Sequence, residues 1–256
     1  MGLRSPAEFK EGLRDGREVY YRGDRIEDVV SHHDLGIGVE HVALDFAMAE
    51  DPTLRDLMTW QDSHLGESIS RYFKIPSDAD DLLKRREMIE LSTCLGGGVV
   101  LLIKEIGSDA LFALDLVSSL VDKELGTEYR SRVRAFIEKC KEKDLSLAVA
   151  QTDVKGDRSL LPSQQEHPDY YVHIVEERPD GIVVRGAKAH TTCAPYVDEL
   201  VVLPTRAFKE DDAAYAVSFA IPVNTPGVKL IASPFGSPPA SACLLYTSDA
   251  ADDIPR

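Results

Sequence analysis

The chain is predicted to be α+β, with a helical first part and a strand-rich second part. Two observations predict this. Apolar residues recur at helical spacing as far as residue 143, with one short hairpin signal near the start. From Leu145 to Ile231 the signals become short runs rich in Val, Ile and Tyr, separated by Gly, Pro and Asp. The boundary is placed near residue 144, giving a helical region 1–144 and a β module 145–242.

In chain order, Ser5 is placed to cap a first helix carrying Phe9 and Leu13 that stops around Gly16. Residues 18–28 set a polar turn at 22–25 between two short apolar ends, the pattern of a tight hairpin. Over 39–60, Val42, Ala43, Phe46 and Ala47 repeat at helical spacing until Pro52 breaks the pattern. A long helix is expected over 78–106, interrupted at Gly96, Gly97 and Gly98. Three adjacent glycines each cost about 1 kcal/mol against alanine inside a helix, so either the helix breaks there or another group comes very close. Ser108 is the expected N-cap of a helix over 109–124, with Ala110, Leu111, Leu114, Val117, Leu120 and Val121 on one broad face and Gly126 as its stop. The next helix runs over 128–143 with Val133, Phe136, Ile137 and Cys140 inward.

Strands are expected over 145–151, 170–176, 181–187, 197–203, 215–220 and 228–231, with Arg178-Pro-Asp-Gly181 as a hairpin turn. The last fourteen residues, CLLYTSDAADDIPR, lack either period. Their stretch 243–252 resembles a translated sequencing adapter, so 243–256 is read as non-native and the chain as the amino-terminal portion of something longer.

The 256 residues hold 29 Lys and Arg against 44 Asp and Glu, a net charge of −15; removing the final segment leaves −13. That balance excludes a basic nucleic-acid binder. With 43% apolar and 29% charged residues, the chain can bury a core. No apolar run reaches the roughly 20 residues a membrane helix needs, and the start has no hydrophobic signal core. A cytoplasmic protein with no membrane partner is expected. Cys94, Cys140, Cys193 and Cys243 lack paired spacing, so neither a disulfide framework nor a metal site is suggested.

Two polar stretches stand out. The first, AQTDVKGDRSLLPSQQ over 150–165, leaves a strand and crowds Thr152, Lys155, Asp157, Arg158 and Ser163 around Gly156. Such a loop can offer backbone N–H groups, hydroxyls and two cations to an anionic ligand such as a flavin dinucleotide, or it can be a solvated connector. The second, VRGAKAHTTCA over 184–194, follows an apolar strand; with period two, His190 and Thr192 share one face and can line a pocket, or be simply hydrogen-bonded.

The pair AQTDVKGDRSLLPS and GIVVRGAKAHTT, followed by VDELVVLPTRA and DAAYAVSFAIPVNTPG, resembles the flavoprotein family containing 4-hydroxyphenylacetate 3-hydroxylase and 4-hydroxybutyryl-CoA dehydratase. The earlier VYYRGDRIEDVVSH, ALFALD and GTEYR fit the same family, and the resemblance covers residues 5–232. It implies an acyl-CoA-dehydrogenase-like architecture: a helical amino-terminal domain, a β-barrel flavin-binding middle domain, and a carboxy-terminal helical bundle that is missing here. It also implies FAD or FADH2 as cofactor, with contacts from Thr152, Lys155, Gly156, Asp157, Arg158, Pro162, Ser163, Gln164 and Thr192, and with His190 beside it. Hydroxyl and amide donors can hold the polar edge of a flavin, and cations can meet its pyrophosphate.

Departures from the family narrow the reading. The dehydratase branch holds an iron–sulfur cluster through two cysteines that would fall near Leu101 and Glu105, neither of which supplies a thiolate; Cys94 lies too far upstream. The hydroxylase branch holds its phenol through an arginine, a tyrosine and a histidine that would fall on Ile106, Ala110 and Val149, none able to ionise. Glu105 is a candidate base at a former ligand position, and more readily an exposed helical glutamate. The resemblance thus implies an FAD-dependent oxidoreductase, a monooxygenase on a small organic or aromatic substrate served by a separate flavin reductase. The alternative is an acyl-CoA lyase or isomerase without the cluster. A third reading is a flavin-site remnant without turnover, expected of the truncated chain as it stands. The full-length protein is expected to be a homotetramer.

Overall fold

The computed structural model describes residues 2–101 and 103–233. The segment read as non-native, 243–256, lies outside them.

Helix α1 (Pro6–Gly12) opens with a reciprocal cap: the Glu8 N–H donates to Ser5 Oγ (3.2 Å) and the Ser5 N–H donates to the Glu8 carboxylate (2.8 Å). Strands β1 (Val19–Tyr21) and β2 (Asp24–Ile26) form the expected hairpin. Its turn residues Arg22 and Gly23 both have positive φ, 54° and 94°. Helix α2 (Leu35–Glu50) ends just before Pro52 and stacks Phe46 on Phe9 of α1 at 4.4 Å between ring centres. A one-turn helix α3 (Arg55–Met58) then leads into a hairpin of β3 (Thr59–Asp62) and β4 (Glu67–Ser70). This pair was not expected, because its strands are short and largely polar. Helix α4 (Ala79–Leu95) begins on Asp78, whose carboxylate accepts the Asp81 N–H at 2.9 Å. The glycines end it, with Gly97 and Gly98 at φ 70° and 91°.

Helix α5 (Glu105–Leu125) starts four residues before the predicted one. Ser108 therefore lies in its first turn, where its hydroxyl donates to Glu105 O (3.0 Å) and accepts from Arg85 Nη2 (2.9 Å). The predicted apolar face is also rotated. Ser108, Leu111, Asp115 and Ser118 are buried, while Leu116, Val117 and Leu120 are exposed. Asp115 turns toward α6 (Tyr129–Lys143) and meets Arg130 at 3.0 Å and Arg134 at 2.9 Å. Gly126 stops α5 at φ 68°, as expected.

No closed barrel is found among the described residues. Strands β5 (Leu147–Ala150), β8 (Glu199–Val202) and β9 (Phe219–Pro222) form a three-stranded sheet in the order β5-β8-β9, with β5 parallel and β9 antiparallel to β8. Strands β6 (His173–Arg178) and β7 (Gly181–Arg185) form a separate ribbon around the predicted turn. Strand β10 (Leu230–Ala232) leaves the module and pairs in parallel with β1. Closure fails because the runs are short and polar segments separate them, and because β10 finds its edge on the amino-terminal hairpin. Residues 215–220 split between a 3-10 turn (Glu210–Tyr215) and β9. The main core spans both regions: Phe9, Val39, Phe46 and Ile103 pack with Ala148, Val197, Leu200 and Val223.

A buried ionic knot joins these layers. Lys104, 1% exposed, places Nζ 2.7 Å from Asp45 Oδ2 on α2 and 2.8 Å from Asp144 Oδ1 at the end of α6. It also lies 3.9 Å from the centre of the Phe46 ring. Asp144 Oδ2 accepts the Arg4 N–H (3.1 Å), and the Arg4 guanidinium reaches Asp198 (2.6 Å), whose carboxylate accepts the Ser146 N–H (2.7 Å). Burial opposes the charge on Lys104, but Asp144 and Asp45 outweigh it and hold the ammonium above the ordinary lysine range. Burial pushes the Asp45 carboxyl up. Gly107 lets α5 seat on β5: a Cβ there would lie 2.3 Å from the Leu147 Cβ.

Lys104→Met leaves two buried carboxylates without their cation and is expected to cost about 3–5 kcal/mol in urea unfolding of the full-length protein. Adding Asp45→Asn and Asp144→Asn should recover most of that loss. A single variant as stable as the parent would contradict the role given to the knot.

Candidate functional site

The two polar stretches that the sequence singles out both lie in the long crossover from β5 to its parallel neighbour β8. Alternation along β5 turns the backbone groups of Leu147, Val149 and Gln151 to the edge away from β8. On that edge the Leu147 N–H donates to Ile103 O (2.6 Å), and Gln151 O accepts from Lys188 Nζ (3.0 Å). Val149 lies between those two attachments. Ile106 follows Ile103 by one helical step, and His190 follows Lys188 by two residues. Ile106, Val149, His190 and Thr192 line a recess of about 70 Å³.

The stretches meet at a second point. The Ala189 N–H donates to Thr152 O (2.8 Å), and Asp153 forms an isolated antiparallel bridge with Lys188. Lys188 Nζ has three acceptors: Asp153 Oδ1 (2.7 Å), Leu203 O (2.8 Å) and Gln151 O (3.0 Å). Asp153, 3% exposed, also accepts from the Val172 N–H (3.3 Å) and from the Thr205 hydroxyl. Residues 186–193 are not a strand, so the period-two argument for His190 and Thr192 does not apply. Both reach the recess because His190 takes a left-handed backbone, φ 55°.

Backbone strain concentrates here. Of the five described non-glycine residues with positive φ, Lys155 (76°), His190 (55°) and Cys193 (62°) fall in these two stretches. Among the described residues, no hydrogen bond engages the side chains of Thr152, Lys155, His190 or Thr192, which leaves two hydroxyls, an imidazole and an ammonium for a ligand.

The remaining predicted residues belong to the loop beyond Asp153. Gly156 (φ 57°) accommodates Gln165 Oε1 and the Tyr170 ring, which a Cβ would meet at 2.4 and 2.6 Å. Gln165 pins the loop by accepting the Asp157 N–H (3.0 Å) and donating to Asp157 O (2.7 Å). The Asp157 carboxylate is engaged locally, accepting the Ser159 hydroxyl (2.7 Å) and N–H (2.9 Å), and these bonds hold its carboxyl below the ordinary range. Arg158 is exposed. Pro162 is buried in a 3-10 turn (Pro162–Gln164); the Ser163 N–H donates to Asp212 (2.9 Å), and Gln164 Oε1 accepts the Leu161 N–H (3.1 Å). These residues do not line the recess. Sequence reasoning missed Asp153, Lys188, Gln165 and Asp212 as supports; the acid and the lysine within otherwise small-residue runs were the available signal.

Leu101 and Glu105 are both buried and Cys94 is exposed, and no group of three or more His, Cys, Asp or Glu among the described residues is placed to hold a metal. Glu105 is not the exposed helical residue expected. It is 5% exposed, and neither carboxylate oxygen has a hydrogen-bond partner among the described residues. Burial pushes its carboxyl up to about 7. A larger concavity lies elsewhere, a shallow groove of about 470 Å³ along α4 walled by Leu82 and Ile89. Its buried cation, Arg85, is already paired with Asp109 (2.8 Å) and Tyr72 O (3.1 Å), so the groove is an apolar surface with no unpaired buried charge in it. No helix among the described residues is long and apolar enough to cross a membrane.

Residues 5–249 match the family model described as "4-hydroxyphenylacetate 3-hydroxylase N terminal". The chain is 37% identical, over 231 residues, to the 4-hydroxybutyryl-CoA dehydratase/vinylacetyl-CoA-Delta-isomerase of Clostridium aminobutyricum, covering 90% of this chain and 46% of that protein. Among solved structures, an oxygen-tolerant archaeal 4-hydroxybutyryl-CoA dehydratase from N. maritimus superposes with a TM-score of 0.84 at 30% identity, over 90% of this chain and 45% of that one. The oxygenase component of 4-hydroxyphenylacetate 3-monooxygenase complexed with FAD gives 0.77 at 26%, over 90% and 46%. The chain spans about half the length of the curated relatives it matches.

The Glu105 carboxyl predicts a pH dependence. Below about pH 4.5 folded and unfolded chains both hold its proton. Between about 4.5 and 7 the unfolded chain releases it first, so stability falls as pH rises. Glu105→Gln is therefore expected to stabilise the protein by about 3 kcal/mol at pH 8 and by little at pH 4; equal effects at both, read by urea denaturation, would contradict the assignment.

Proposed function

The chain belongs to the 4-hydroxyphenylacetate 3-hydroxylase family, and from that we propose that it is the amino-terminal and flavin-site part of an FAD- or FADH2-dependent enzyme. The carrying observation is that His190 and Thr192 line one recess with side chains free of internal hydrogen bonds, while Thr152 and Lys155, equally free, lie on the stretch that the Ala189 N–H to Thr152 O bond ties to it. That donor set suits the polar edge of an isoalloxazine ring, and Lys155 suits a phosphate. The recess takes an edge and not a whole flavin. The rest of the pocket is assigned to the half of the relatives' length that this chain does not span. The exposed Leu116, Val117 and Leu120 of α5 supply an apolar face for such a half to cover.

When bound, the flavin supplies the redox chemistry. The protein's part is to hold it with the two threonines and to present His190 to it. Ile106 and Val149 give the recess its aliphatic walls. Those aliphatic walls favour a small organic or aromatic substrate that is not gripped there by an ionised group. On this reading the enzyme is a monooxygenase oxygenase component supplied by a separate flavin reductase, working in the cytoplasm as a tetramer. The functional division is 1–144 against 145–242.

A second reading, an acyl-CoA lyase or isomerase, is favoured by the 37% identity to the dehydratase, against 28% for the oxygenase component from Thermus thermophilus. Leu101 and Glu105 exclude the soft cluster ligation expected at those positions.

The full-length protein is expected to bind FAD and, given FADH2 in air, to consume oxygen faster in the presence of substituted phenols. Anaerobic conversion of a hydroxyacyl- or enoyl-CoA without oxygen uptake would establish the second reading instead. Failure to bind FAD in either redox state would remove both.

A further inference from the structure

We propose that Lys188 and Asp153, which contact no part of the recess themselves, are a positioning pair that sets the geometry of the flavin site. The inference rests on the flavin reading above. An ammonium has three N–H bonds, and here three acceptors converge on them from three places: the Asp153 carboxylate (2.7 Å), the end of β8 at Leu203 O (2.8 Å) and the end of β5 at Gln151 O (3.0 Å). The Asp153 carboxylate is in turn held by the Thr205 hydroxyl and by the Val172 N–H (3.3 Å). The pair therefore locks both strand ends and the 170–172 connection to a single point.

That point is two residues from the recess-lining His190 on one side and next to Thr152 on the other. Thr152 precedes Asp153 directly. Ala189 follows Lys188 and donates its N–H to Thr152 O (2.8 Å), and the next residue is His190 in its left-handed conformation, φ 55°. A non-glycine residue holds such a backbone only where its surroundings over-determine it. With Lys188 anchored three ways, the two residues to His190 have little freedom, and the left-handed turn aims His190 and Thr192 at Ile106 and Val149. Burial lowers the basicity of Lys188 and Asp153 opposes that shift, consistent with an ion pair held in a largely dry position. Arginine cannot reproduce the arrangement, because its planar fork directs its donors differently from a compact ammonium with three converging partners.

The test is FAD titration of the full-length protein, followed by flavin fluorescence and the visible spectrum, together with thermal unfolding of the flavin-free protein. The variants are Lys188→Met, Lys188→Arg and the neutral pair Asp153→Asn with Lys188→Met, which leaves no lone buried charge if the single variant fails to fold. We expect each to weaken FAD binding by about tenfold or more and to shift the flavin absorption bands. The double variant should be no worse than Lys188→Met alone and should keep a melting temperature close to the parent's. Any folded variant that keeps parental FAD affinity and spectrum overturns the positioning role and leaves the flavin reading intact. A parent protein that binds no FAD sinks the flavin reading, and this inference with it.

Discussion

One ammonium group organises the molecule. Lys104 is buried between the carboxylates of Asp45 and Asp144, and it can be so because each removes part of the cost of burying it. The consequences run in two directions. Fixing Lys104 fixes the first turn of α5, and with it Ile106. Fixing Asp144 fixes the exit from α6, and through Arg4, Asp198 and Ser146 it sets where β5 begins. The Leu147 N–H then bonds to Ile103 O, one residue before Lys104, and closes the circuit. Ile106 and Val149, the two aliphatic walls of the recess, are thus brought together by a charge network that does not itself touch the recess.

The polar half of the site is built by a second, smaller network. The crossover from β5 to β8 would be a long irregular connection were it not gathered at Asp153 and Lys188, at Gln165 and at Asp212. Each of these groups satisfies backbone N–H or C=O groups that a loop would otherwise leave exposed or unpaired. The side chains of Thr152, Lys155, His190 and Thr192 keep no internal hydrogen bond among the described residues, and strained backbone is concentrated in the same two stretches. Glu105, a buried carboxyl one residue from Ile106, has neither oxygen hydrogen-bonded among the described residues. Its raised carboxyl works against stability as pH rises toward neutral.

Local signals were legible in the sequence. The Ser5 cap, the Arg22-Gly23 turn, the Gly126 stop and the hairpin at Arg178–Gly181 all depend on neighbouring residues, and each forms where expected. What depended on distant partners was not legible. On α5 the buried face includes Asp115, which finds arginines on α6, and Ser108 lies inside the helix where Arg85 reaches it from α4. The barrel does not close, and β10 pairs with β1, 211 residues earlier (Val19 opposite Leu230). At the site, the motifs of the two stretches were readable through their resemblance to a known family. Their mode of junction was not, since Asp153 and Lys188 belong to neither a helical nor a strand period.

The most direct test of the central claim is a crystal structure of the full-length protein with FAD. The account predicts an isoalloxazine edge in hydrogen-bond contact with Thr152 or Thr192, with His190 beside it and Ile106 and Val149 against the space where substrate enters. A flavin bound along the α4 groove, or on any surface from which both threonines are remote, would contradict it.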